Sequence, residues 1–183
     1  MYKRQAVLFP GIGYTCDKPL LYYAGKLAAE HDYNVRPVAY GKFPSGVKGN
    51  REKMEQSFYS ALQQAEEILK DVRWQDYEDI LFISKSVGTI VAACYKQKYQ
   101  IKARSISFTP LEDTFSFASG EGIMFHGTAD PWVKDSKKIY EGCEKIGQPL
   151  YVIENANHSL ETGDVAEDLV NLAKIMRWVE EYI

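Results

Sequence analysis

Three side chains of this sequence have the chemistry to work as a unit: Ser86, Asp130 and His158. A serine hydroxyl attacks poorly near neutral pH. It needs a base to take its proton during attack, which contributes roughly 10²–10⁴-fold in rate. His158, in Asn155-Ala156-Asn157-His158-Ser159, suits that role because imidazole titrates near working pH. A carboxylate on the other ring nitrogen would fix the tautomer and stabilise the imidazolium. Asp130, in His126-Gly127-Thr128-Ala129-Asp130-Pro131, is read as that carboxylate. An attacked carbonyl becomes an oxyanion and needs N–H donors. The backbone amide of Val87, directly after Ser86, is one candidate. The other is Ile12, in Pro10-Gly11-Ile12-Gly13, where flanking glycines let the chain come close.

These residues need elements to hold them. Ile80 to Ser84 reads as a short strand, and Val87, Ile90, Val91 and Cys94 open a helical pattern behind it. Ser86 therefore sits on a strand-to-helix turn, with its hydroxyl held above a sheet. Strand-like and helix-like segments alternate along the rest of the chain. Gln5 to Phe9 and Asn34 to Tyr40 read as strands. So do Arg104 to Thr109, Gly122 to His126 and Leu150 to Glu154. Helices are expected over Pro19 to Glu30 (with Asp17 as its cap), Arg51 to Lys70, Lys134 to Ile146 and Gly163 to Ile183. The last should bury Leu169, Leu172, Ala173, Met176 and Val179. The Gly- and Pro-containing stretch from Gly41 to Asn50 reads as a loop.

Such alternation predicts an α/β fold: a six-stranded, mainly parallel sheet with helices on both faces. One domain spanning 1–183 is expected. Ser86, Ile12, Asp130 and His158 all follow strands. They map to the carboxyl rim, where parallel sheets bind ligands.

The elbow Ser84-Lys85-Ser86-Val87-Gly88, with Asp130 and His158 following in that order, resembles the α/β-hydrolases. The resemblance covers essentially the whole chain and points to a small, single-domain kind. It departs from G-x-S-x-G at Ser84. It also lacks the first two antiparallel strands of larger members and a substantial cap. The resemblance implies a serine hydrolase acting on a small carboxylic ester or thioester through an acyl-enzyme on Ser86, without a cofactor. An acyltransferase would use the same residues; a hydrolase fold that has lost activity and acts as a binding protein is the other alternative. Glu112 and Asp113 are rival acids, because this fold sometimes draws its acid from the end of the fourth strand.

Each residue also has a plainer reading. Serine is a common helix cap. Asp130 before Pro131 could serve a turn. Ser84 reads as packing, Lys85 as a solvent-pointing side chain at the pocket mouth, and Cys16 as buried filler. Among the other histidines, His31 lies at a helix end, and His126 reads as a strand-end hydrogen-bonding residue. Tyr14, Tyr40, Phe43, Phe115, Phe117 and Trp132 follow strand ends and could line an apolar pocket. A dinucleotide-binding reading of Gly11-Ile12-Gly13 lacks its third glycine and the acidic residue after the second strand.

A net charge of −3 gives no reason to expect nucleic acid or anionic membranes as partners. The expected partner is a small acyl substrate. Three widely spaced cysteines form neither a disulfide framework nor a metal pattern. With no signal-peptide pattern after Met1, they point to a reducing, cytoplasmic setting.

Overall fold

The computed structural model describes residues 3–41, 43 and 51–183. Six parallel strands form one sheet: β1 (Arg4–Phe9), β2 (Tyr33–Pro37), β3 (Asp79–Lys85), β4 (Arg104–Phe108), β5 (Gly122–Gly127) and β6 (Leu150–Ile153). Their order across the sheet is β2-β1-β3-β4-β5-β6. Five α-helices lie among the described residues: α1 (Pro19–Glu30), α2 (Arg51–Leu69), α3 (Val87–Lys98), α4 (Ser136–Ile146) and α5 (Val165–Tyr182).

Strand alternation sorts the core into two faces. Ala6, Leu8, Leu81, Ile83, Ile106, Ile123 and Phe125 pack with α1 and α5. Val7, Phe9, Ile80 and Phe82 pack with α2 and α3. Met124 packs with Ile139 and Cys143 of α4. Central strands covered on both sides have no solvent face, which explains their continuous apolar runs.

From β1 the chain passes first to one neighbour, β2, and later to the other, β3. That reversal opens a crevice at the carboxyl ends of β1 and β3, the place where such sheets take ligands. The turn after β1 and the elbow after β3 meet there.

Several boundaries differ from the sequence reading. β2 ends at Pro37 rather than Tyr40. Its neighbour β1 stops at Phe9, and the last ladder-like bond runs from the Val38 N–H to the Leu8 carbonyl at 2.9 Å. Asp17 does not cap α1; extended Lys18 occupies the cap position and makes no side-chain cap bond. Pro19 at the first helical position forces its predecessor into extended backbone, which moves the cap past Asp17. α4 and α5 start later than expected, on the true caps Asp135 and Asp164. Each of these carboxylates accepts first-turn amide hydrogen bonds. On α5, Ile175 and Val179 are buried and Leu172 and Met176 half-buried against the core, while Leu169 and Ala173 face solvent. The stretch read as a loop from Gly41 to Asn50 lies almost entirely outside the described residues. No helix among the described residues is long and apolar enough to cross a membrane.

Candidate active site

Ser86 stands where β3 turns into α3, with φ 56° and ψ −127°. An L-residue reaches this backbone region only under strain, on the order of 1–3 kcal/mol, and such strain collects at functional sites. Although Ser86 occupies the N-cap position, its side chain makes no capping bond. The hydroxyl is directed elsewhere, so the plain capping reading does not describe it.

The turn is possible because its neighbours are small. A Cβ on Gly88 would lie 2.2 Å from the Phe9 carbonyl oxygen, so only glycine lets α3 start this close to β1. Gly11 packs directly on Ser86: a Cβ there would stand 3.0 Å from the serine Cβ. Ser84, at the departure from G-x-S-x-G, is buried, and its hydroxyl donates to the Ile106 carbonyl at 3.2 Å. Its extra oxygen is satisfied inside the sheet and leaves the turn intact.

His158 Nε2 lies 2.7 Å from Ser86 Oγ, and His158 Nδ1 lies 2.7 Å from Asp130 Oδ2. Asp130 Oδ1 accepts from the Trp132 amide at 2.9 Å. Burial pushes the Asp130 carboxyl upward, but the His158 hydrogen bond, the His158 charge, the Trp132 amide and Lys85 together bring it below the ordinary value. An ionised carboxylate only accepts, so Nδ1 carries the ring proton. Nε2 is then left as acceptor for the Ser86 hydroxyl. Burial lowers the His158 pKa; the Asp130 hydrogen bond opposes this, and the Lys85 charge adds to it. The imidazole is therefore neutral at pH 7 and able to take a proton.

The two carboxyl-end loops hold this chain of groups together. The Ala129 amide donates to the Ala156 carbonyl at 3.0 Å, and the Asn155 amide donates to Thr128 Oγ1 at 2.7 Å. Asn157 builds the turn that presents His158: its Oδ1 accepts from the Ser159 amide at 2.7 Å, and its own amide donates to the Glu161 carbonyl at 2.8 Å. The Trp132 ring stands 5.5 Å from the His158 ring.

Glu112 is committed elsewhere, pairing with Lys138 at 2.7 Å in an exposed setting. Asp113 is exposed on a short 3₁₀ turn, Glu112–Ser116. His126 meets Ser136 Oγ at 2.9 Å through Nε2, and His31 caps α1 through its backbone amide. Burial raises the Cys16 thiol to about 12, which leaves it inert.

Ile12 follows Gly11, which packs on Ser86 in the turn after β1, and Val87 is the first residue of α3. Neither amide has a hydrogen-bond acceptor among the described residues. The Ile12 turn is closed by paired bonds between Gly11 and Tyr14, amide to carbonyl in both directions at 3.1 and 3.4 Å.

Lys85 does not point to solvent. It is 1% exposed, and its Nζ donates to the His158 carbonyl at 2.6 Å. The same nitrogen sits 4.9 Å over the Tyr14 ring. Burial drives its pKa down to about 7, with Asp130 and Glu161 pulling the other way. Strand alternation held the signal for this placement. Lys85 continues the Leu81, Ile83 side of a strand that is covered on both faces.

Of the expected aromatics, Tyr40, Phe43, Phe117 and Trp132 pack, with Ile12, against the cluster that contains Val87 and Leu111. Tyr14 lies in the cluster on the other face of the sheet, and Phe115 packs against Gly142 of α4. A cavity of about 330 Å³ lies between the start of α1, the segment after His158 and α5. None of Ser86, Asp130 or His158 lines it. Among the described residues no His, Cys, Asp and Glu group could hold a metal ion.

No protein-family model and no curated protein matches the sequence. Solved structures do match in shape. An α/β serine hydrolase homologue from Coxiella burnetii is 16% identical with a TM-score of 0.63, covering 100% of this chain and 86% of its own. Est1E from Butyrivibrio proteoclasticus gives 0.68 at 10% identity, covering 100% and 88%. An α/β serine hydrolase without lid from Xanthomonas campestris gives 0.60 at 12% identity, covering 97% and 83%. In this chain the gap between β4 and β5 likewise holds only one 3₁₀ turn. Six parallel strands, a strained serine between β3 and α3 and these likenesses together establish that the chain has the α/β-hydrolase fold.

Proposed function

We propose that the protein is a serine hydrolase of small carboxylic esters or thioesters. The observation that carries this reading is the unbroken series Ser86 Oγ, His158 Nε2, His158 Nδ1, Asp130 Oδ2, with both contacts at 2.7 Å. Its place on a strained elbow, beside two amides without acceptors, supports it further.

In the first half-reaction Ser86 Oγ attacks the acyl carbon as its proton passes to His158 Nε2. The carbonyl oxygen takes up negative charge, and the Ile12 and Val87 amides donate to it. The helix α3 N-terminus favours the same charge. Collapse of the adduct breaks the bond to the leaving oxygen or sulfur, which departs with the proton from His158. A water then gives its proton to His158 and attacks the acyl-enzyme. The carboxylic acid leaves, and the proton returns to Ser86 Oγ. Asp130 stays ionised throughout and stabilises the transient imidazolium.

The test is labelling with a fluorophosphonate, followed by mass spectrometry of the modified peptide. Stoichiometric labelling of Ser86, lost in Ser86→Ala, is the expected result. Labelling that survives this substitution overturns the assignment. A panel of p-nitrophenyl esters and acyl thioesters of increasing chain length then defines the substrate. A ferulate ester belongs in the panel, because Est1E was solved with ferulic acid bound.

A further inference from the structure

Lys85 is the one buried ammonium at this site that the proposed mechanism does not use. Its surroundings come from four parts of the fold. The His158 carbonyl, on the loop after β6, accepts from Nζ at 2.6 Å. The ring of Tyr14, whose backbone closes the turn carrying Ile12, has its centroid 4.9 Å from the nitrogen. Asp130, after β5, and Glu161, beyond His158, contribute negative charge. Ser86 is the next residue in the chain.

The ammonium therefore links the segment that presents the base to the turn that presents an oxyanion donor, from a position adjoining the nucleophile. A cation–π contact with Tyr14 is worth more here than on a surface, because water is excluded. The same charge acts on the imidazole. Placing a second cation on His158 next to Lys85 is unfavourable, and the low-dielectric setting strengthens that repulsion.

We infer that Lys85 is a positioning residue: its buried ammonium clamps the His158 backbone to the Tyr14 turn and opposes protonation of the His158 ring. This rests on His158 being the base, as proposed above. The chemistry is self-consistent across pH. Below about 7 Lys85 is charged, which covers the range in which His158 would protonate. Above that range the neutral amine still donates to the carbonyl, so the tether persists.

The test compares wild type with Lys85→Met, which keeps the length and removes both charge and donor. Histidine ring resonances are followed by NMR across pH, alongside kcat/KM for a p-nitrophenyl ester. The His158 titration and the acid limb of kcat/KM should both move to higher pH. A folded variant in which neither moves overturns the inference, because a purely structural lysine would change the rate without moving the limb. If Lys85→Met does not fold, the wild-type titration decides. His158 should show a second inflection where Lys85 itself titrates, as coupled groups do. A single-step curve overturns the clamp. Should Ser86 resist labelling at every pH, the hydrolase reading falls, while the histidine titration still reports on Lys85.

Discussion

His158 Nε2 meets Ser86 Oγ at 2.7 Å although 72 sequence positions separate them. Neither residue reaches the other by local structure. β3 and β6 are not neighbours: β4 and β5 stand between them in the sheet. The loop after β6 must travel back along the carboxyl rim, and its bonds to the loop after β5 hold it there. A base placed this way is largely desolvated.

Desolvation and Lys85 both lower the His158 pKa, and the Asp130 hydrogen bond only partly offsets them. The proposed mechanism requires the neutral ring. As pH falls, protonation removes the base only below the ordinary imidazole value of about 6.5. Turnover of a p-nitrophenyl ester should therefore persist to pH values below 6.5 before declining. The check is kcat/KM from pH 4.5 to 8, and an acid limb centred at 7 or higher would contradict the stated environment.

Asp130→Asn keeps the shape of the site and changes its proton. The amide can donate to Nδ1, which favours the tautomer with the proton on Nε2, unable to accept from Ser86. A fall in kcat on the order of 10⁴-fold is expected. Glu112→Gln, which breaks only an exposed pair with Lys138, should leave kcat within about twofold. Steady-state kinetics of the two variants separates the acids, and a larger loss from Glu112→Gln would reverse the assignment of the carboxylate.

Much of this was legible in the sequence because the governing rules are local. The elbow announced itself through an apolar strand, a small-residue turn and a helical stripe. The six strands followed from alternation, and the parallel sheet from the helices between them. What escaped depended on the three-dimensional neighbourhood. The end of β2 is set by where β1 stops, which composition does not encode. Leu169 fits the helical stripe and yet is exposed, lining the open cavity between α1 and α5. Lys85 is the instructive miss. Residue type argued for solvent, whereas its place in a doubly covered strand dictated burial, and the fold followed the strand. Asn157 was passed over because its work is to shape a turn with backbone amides, a role that any short polar residue near a histidine could suggest.

Backbone strain at Ser86 predicts an order of stability between two variants that lack its hydroxyl. Ser86→Ala and Ser86→Gly both remove the hydroxyl. Only glycine accepts φ 56°, ψ −127° without cost. Relief of roughly 1–3 kcal/mol of strain is set against about 0.5–1 kcal/mol of extra unfolded-state entropy. Chemical denaturation should find Ser86→Gly more stable than Ser86→Ala by about 1 kcal/mol. A Ser86→Gly variant less stable than Ser86→Ala, at equal slopes, would mean that the turn is unstrained.

Lys85 makes a stability prediction of unusual sign. Its folded pKa, near 7, lies well below the unfolded lysine value of about 10.4. Between these values the unfolded chain binds a proton that the folded chain does not. Stability should therefore rise with pH across that window, and the penalty for burying the ammonium is fully present below about 7. Lys85→Met removes the titrating group and the cost of desolvating it. The variant should be more stable than wild type at pH 6.5, by an amount on the order of a few kcal/mol. The gap should narrow toward pH 9.5. Urea denaturation of both proteins at several pH values measures this directly. A constant difference between the two curves would show that Lys85 keeps an ordinary pKa when folded. Stabilisation combined with a displaced acid limb would mean that this fold retains a destabilising ammonium for the behaviour it confers on His158.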